Sequence, residues 1–315
     1  CVRSRQPVPN EKRSQRSTGP RTTPCRPQST RLTRIGRSGG RPTGACNFAV
    51  PLSSQQPKVP CMDAAPWLKN YPADVPHEVH PEQYRKQISV IFDGVDTAEL
   101  APRDTVRVQL PGGITIKKGD PVITFVNRNL EPYRGYHQFM RALPAILKAR
   151  PKARVLIIGG NEVSYGAAPP PGPDGQAQTW REIFLNEVKG ELDLTRVHFV
   201  GKVPYADFLR VLQVSTVHVY LTYPFVLSWS LLEAMSAGCA IVASDTAPVQ
   251  EAISHGETGQ LVDFFDQAAL AEQVIDLCKN PAERARLGAQ ARAFAVENYD
   301  LETRCLPGQM AWVQG

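Results

Sequence analysis

The stretch Phe225-Val226-Leu227-Ser228-Trp229-Ser230-Leu231-Leu232-Glu233-Ala234-Met235-Ser236-Ala237-Gly238 reads as a loop of small hydroxylated residues, a short helix and a glycine stop. The apolar run 239–243 follows and predicts a buried strand. A helix that begins in such a loop turns unpaired backbone N–H groups and the positive end of its dipole outward, which suits a phosphate. Glu233 lies one turn in. It cannot bind phosphate itself, but it can accept hydrogen bonds from sugar hydroxyls beside one. An anion cradle next to a hydroxyl acceptor points to a nucleotide or a nucleotide-sugar.

Outward from this stretch, strands and helices alternate. Apolar runs predict strands over 122–126, 154–158, 197–200, 217–221, 240–243 and 259–262. Amphipathic patterns predict helices over 134–149, 179–188, 205–213, 229–237, 248–254 and 267–278, with further helices over 281–298 and 300–312. Strand followed by helix, repeated, implies an α/β fold: a doubly wound, Rossmann-like parallel sheet covered on both faces. Ligands in such sheets sit beyond the carboxyl ends of the strands. The loops after 122–126, 154–158 and 217–221 open at that edge and converge on one crevice.

The formal net charge of +6 is unevenly spread. Residues 1–60 hold twelve Lys/Arg against the single acid Glu11, which leaves the rest of the chain at −5. Residues 1–63 are poor in apolar groups and show no periodicity, so they read as a disordered basic tail. No aromatic stands among its arginines to stack on bases, so no nucleic acid is expected as a partner. Residues 64–120 read as transitional, with a short strand over 87–92, the turn 93–96 and then a polar connection to Gly119. The seven cysteines form no C-x-x-C pair and the six histidines show no metal spacing, so no metal site is expected. Cys239 and Cys278 read as reduced core thiols. No apolar run approaches the roughly 20 residues of a membrane span. A cytoplasmic location follows as an expectation, with peripheral membrane contact left open. Gly159-Gly160 is not a Gly-x-Gly-x-x-Gly fingerprint, which argues against NAD.

Arg128 and Arg134 bracket the loop after the first predicted strand of the sheet. Both are permanent cations with a fork geometry that matches phosphate oxygens. Gly201-Lys202-Val203-Pro204 follows another strand and could line a base pocket.

These features resemble the GT-B glycosyltransferases of family four over roughly residues 88–299. The resemblance rests on six motifs in order: residues 88–96 (ISVIFDGVD); Val126-Asn127-Arg128-Asn129 with Arg134-Gly135; Val155-Leu156-Ile157-Ile158-Gly159-Gly160; Val197-His198-Phe199-Val200-Gly201; Leu231-Leu232-Glu233-Ala234-Met235 to Gly238; and residues 256–262 (GETGQLV). It implies a retaining enzyme that moves a hexose from a UDP- or GDP-linked sugar to an acceptor hydroxyl. The nucleotide-sugar would be co-substrate, with no cofactor and with an acceptor (glycan, lipid or small molecule) that the resemblance does not name. Residues 121–299 would form the donor-binding domain, one half of a GT-B fold, and 300–315 a C-terminal helix or tail. Residues 64–120 would be a remnant of the acceptor domain plus a linker.

The resemblance also implies roles. Arg128 and Arg134 would hold the donor diphosphate, with Arg134 in place of the family's usual Lys and one position later. Backbone N–H groups of Ser228, Trp229 and Ser230, beside Leu231, would cap the same group. Glu233 would bind the ribose, and Lys202 and Val203 would border the base. Phe225 stands where the family has the first Glu of its E-x7-E motif, so sugar recognition departs from the common pattern. Nothing before residue 88 resembles the rest of an acceptor domain. Two other readings therefore stand beside an active transferase. One is a nucleotide-sugar-binding module or inactive fragment, the other a nucleic-acid binder acting through the basic tail.

Overall fold

The computed structural model describes residues 90–223 and 227–314. Residues 87–89, all of the basic tail and Phe225 lie outside the described residues. Among those described, the chain forms strands β1 (Arg107–Leu110), β2 (Ile114–Lys117), β3 (Val122–Asn129), β4 (Arg154–Gly160), β5 (Val197–Gly201), β6 (Val217–Tyr220), β7 (Ile241–Ser244) and β8 (Gln260–Val262). The α-helices are α1 (Tyr136–Ala149), α2 (Trp180–Val188), α3 (Tyr205–Val214), α4 (Trp229–Ser236), α5 (Ala247–Gln250), α6 (Gln267–Lys279), α7 (Pro281–Tyr299) and α8 (Leu306–Gln314).

Six strands form one parallel sheet in the order β5-β4-β3-β6-β7-β8. From β3 the chain winds outward through β4 and β5, then returns to β6 and winds the other way. This is the doubly wound order, and its reversal between β3 and β6 creates a crevice at their carboxyl ends. The apolar strand runs are explained by burial on both faces. On β3, Val122 and Val126 enter the core under α3 and α4, whereas Ile123 and Phe125 enter the core under α1 and α6. The period of two thus feeds two cores at once. Phe125 stacks on Phe139 of α1 with ring centroids 4.5 Å apart.

Backbones approach closely where α7 crosses the end of α4. A Cβ on Gly288 would stand 2.3 Å from the carbonyl oxygen of Gly238, and backbone cannot yield as a side-chain tip can. Gly288→Ala is therefore expected to cost about 1–3 kcal/mol. Urea unfolding checks this, and an unchanged midpoint would contradict it.

Three sequence readings need correction. The connection before Gly119 is an antiparallel hairpin, β1 with β2, turned by Pro111-Gly112-Gly113. Val108, Leu110 and Ile116 from this hairpin are core residues. The strand expected over 87–92 is absent from its described part, residues 90–92. Its partner there is the C-terminal segment rather than a sheet: Phe92 packs edge-on against Tyr299 at 5.0 Å, and the Gln309 amide donates to the carbonyl of Phe92 at 3.0 Å. Val95 bridges Tyr299 and Leu301 through main-chain bonds of 2.9 Å each. Finally, the helix expected from Arg134 starts at Tyr136. Pro132–Arg134 is a 3-10 turn closed by Gly135 at φ 68°. A side chain at Gly135 would also meet Leu221 Cβ at 2.3 Å, so only glycine turns the chain here.

Candidate functional site

Arg128, Arg134, Ser228, Trp229, Ser230 and Glu233 line one cavity of about 310 Å³. It lies at the β3/β6 reversal, where α/β sheets of this order hold ligands. Val126, Asn127 and Tyr165 complete the lining. A larger groove of about 790 Å³ runs between α1 and α2, but none of its lining residues lies on a strand. Four of its charged side chains pair with each other, Arg141 with Glu187 and Arg196 with Asp193, at 2.8 Å each. The smaller cavity is the candidate site.

The two arginines sit there differently. Arg128, the penultimate residue of β3, is exposed and forms no ion pair with any described residue. Arg134 is only 7% exposed. Its guanidinium donates to Thr222 Oγ1 at 3.2 Å and reaches Tyr220 Oη at 3.5 Å, while the Tyr165 ring centroid lies 5.3 Å away. Asn127 Nδ2 donates to the Arg134 carbonyl at 3.1 Å and fixes the turn that presents it. One cation is thus exposed at the rim and the other is locked into the wall.

Tyr220 ties this wall to α4. Its buried hydroxyl accepts the Ser228 N–H at 3.0 Å, and burial pushes its pKa up. Ser228 Oγ accepts the Ser230 N–H at 3.4 Å as the helix cap. The backbone N–H groups of Ser228 and Ser230 therefore already have intramolecular acceptors, so any anion there must share them. The side chain of Leu231 is fully buried and its N–H donates to the Ser228 carbonyl at 3.0 Å, so it supports the helix rather than facing the cavity. Glu233 projects from the same helix into the cavity, and burial raises its pKa above the ordinary carboxyl value.

Lys202 is not brought to the cavity wall; its ammonium pairs with Glu162 Oε2 at 2.8 Å. Val203 is half-buried and packs on the core. Among the described residues, no three His, Cys, Asp or Glu side chains gather as a metal site requires. His218 is fully buried beside Thr124 Oγ1 at 2.9 Å, and desolvation lowers its pKa to about 3, so it serves as a neutral core residue. Cys239 and Cys278 are free and buried.

Sequence reasoning missed Glu131, Tyr165, Tyr205 and Tyr220. Glu131 is fully buried, and its Oε2 accepts the consecutive N–H groups of Ser164, Tyr165 and Gly166 at 3.2, 3.2 and 3.3 Å. It thereby holds the loop that lays Tyr165 over Arg134. Its partners lie more than thirty residues away, beyond any local spacing signal.

Comparison with known proteins agrees with this fold. The chain is 28% identical over 225 residues to the D-inositol 3-phosphate glycosyltransferase of Corynebacterium efficiens, covering 70% of this chain and 49% of that protein. It is 25% identical over 217 residues to the glycogen synthase of Mycobacterium tuberculosis, covering 69% and 46%. The chain thus spans about half the length of these curated relatives. Among solved structures, sucrose-phosphate synthase from Thermosynechococcus elongatus shares the fold with a TM-score of 0.56 at 22% identity, covering 76% of this chain and 56% of that one. HepE from Anabaena, solved in complex with UDP and glucose, gives 0.54 at 17% identity over 73% and 57%. The C-terminal domain of LpcC from Francisella tularensis gives 0.53 at 19% identity, over 66% of this chain and 100% of that domain. Residues 109–294, more than half of the chain, match the model of one family, and the chain belongs to it: the glycosyl transferases group 1.

Proposed function

We propose that this chain is the donor-binding half of a GT-B glycosyltransferase that transfers a hexose from a UDP- or GDP-linked sugar with retention. The observation that carries the reading is the single cavity shared by Arg128, Arg134, the start of α4 and Glu233. The guanidinium groups face the site where negative charge grows on the leaving diphosphate, and such electrostatic stabilisation is the largest single contribution in most enzymes. With two permanent cations, neutralisation by a metal is not required. Glu233, as an ionised acceptor, would take the ribose hydroxyls. The UDP printed with HepE is consistent with a uridine nucleotide donor here. The acceptor would meet the donor sugar at the open side of the crevice, where a second domain completes a GT-B enzyme.

Calorimetric titration with UDP and GDP tests the reading. Arg128→Ala is expected to weaken the preferred nucleotide about tenfold, and Glu233→Ala by a similar factor. Equal affinity in both variants and the wild type would refute the site. Because the chain covers half of its curated relatives, a nucleotide-sugar-binding module without catalysis of its own is the second reading. Acceptor-dependent UDP release by the purified chain excludes that reading, and binding without release favours it.

A further inference from the structure

Tyr205 opens α3 directly after the Lys202-Val203-Pro204 segment, and its phenol O–H donates to Glu233 Oε1 at 2.9 Å. The two residues come from helices that follow different strands, β5 and β6. Among the described residues this is the one hydrogen bond made to the Glu233 side chain. Glu233 lines the cavity and Tyr205 does not, so the phenol braces the carboxylate from outside.

A carboxylate offers about four acceptor positions. The phenol takes one of them. The rest remain for a ligand, and their direction is set by the bond to Tyr205. We propose that Tyr205 is a positioning residue for Glu233, turning its carboxylate toward the vicinal hydroxyls of a bound ribose. The proposal rests on the nucleotide-sugar reading above.

The electrostatics support this geometry. Burial favours the neutral form of Glu233, and the Tyr205 hydrogen bond opposes that trend by favouring the ionised form. A neutral carboxyl would spend one oxygen as a donor and lose part of its capacity to accept from a diol. Tyr205 is half exposed; partial desolvation, joined by the nearby acids Glu233, Glu99 and Asp96, holds its proton on. The phenol therefore stays a donor across the neutral range. The ring also packs on Phe208 of the same helix at 5.7 Å, which limits its swing.

Tyr205→Phe removes the one oxygen and keeps the ring. The full chain is titrated with UDP and with GDP, each beside its 2′,3′-dideoxy counterpart, from about pH 5 to about pH 8. The wild type should prefer the ribonucleotide, and that preference should shrink about tenfold in Tyr205→Phe. Affinity for the dideoxy nucleotide should not change, which also shows that the variant is folded. The preference should fade on acidification as Glu233 protonates, and in Tyr205→Phe this should begin at higher pH. Glu233→Gln should abolish the pH dependence of the preference. An unchanged preference and pH profile in Tyr205→Phe would overturn the proposal while the nucleotide reading stands. So would an equal loss for both nucleotides of a pair. A wild type that binds neither UDP nor GDP, or binds without preferring the ribose form, overturns the reading and the proposal together.

Discussion

Arg134→Ala lowers affinity for the preferred nucleoside diphosphate by about a hundredfold, an order of magnitude more than Arg128→Ala. The difference follows from burial. Arg128 is exposed and must surrender hydration and side-chain freedom when it grips a phosphate, so its net contribution is reduced. Arg134 is held by Thr222 and Tyr220 and covered by Tyr165, so folding has already met its ordering cost. It also works where water is scarce, and a charge is felt more strongly there. Arg134→Lys should recover little. A single ammonium lacks the planar fork that can reach Thr222 and a ligand oxygen together. Calorimetry on both alanine variants, with circular dichroism to verify folding, gives the ranking. A larger loss for Arg128→Ala than for Arg134→Ala would contradict the division of labour described here.

Glu131→Ala lowers stability by about 3 kcal/mol and loosens nucleotide binding several-fold. Three successive backbone donors, from Ser164 to Gly166, lose their shared acceptor in one substitution. The loop can recover some of these bonds from water only by leaving its packed position. Tyr165 then withdraws from Arg134, and the wall of the cavity opens on that side. Glu131→Gln keeps an acceptor oxygen but loses the charge, so it should fall between the wild type and Glu131→Ala. Urea unfolding measures the first effect and UDP titration the second. Wild-type stability in Glu131→Ala would show that the loop is held by something else.

The alternation of β3 through β8 with helices was legible in the sequence because strands buried on two faces read as uninterrupted apolar runs. The β1–β2 hairpin was less so, since each strand has four residues and turns one side to solvent. Its alternation of Val108 with Leu110, and the Pro-Gly-Gly turn, were nonetheless present to be read. Within the cavity, Arg128, Arg134, Ser228 and Glu233 stood out because they end strands or begin helices on the carboxyl edge. Glu131, Tyr205 and Tyr220 gave no such sign. Each acts through a partner on another element, and a pair such as Tyr205 with Glu233 exists only once α3 and α4 lie side by side. Lys202 shows the converse. Its position in the chain favoured the cavity, but an acid in the connection between β4 and β5 pairs with its charge.

The reversal of winding between β3 and β6 also bears on how the molecule comes together. Thr124 and His218 touch across that seam although 94 positions separate them along the chain. Such distant closure is entropically slow, and the nearby β3–β4 pairing can form before it. The anion pocket straddles the seam, so it cannot exist in any half-assembled species. A bound nucleotide would then act as a latch on the final state alone, raising the melting temperature by mass action without speeding the early steps.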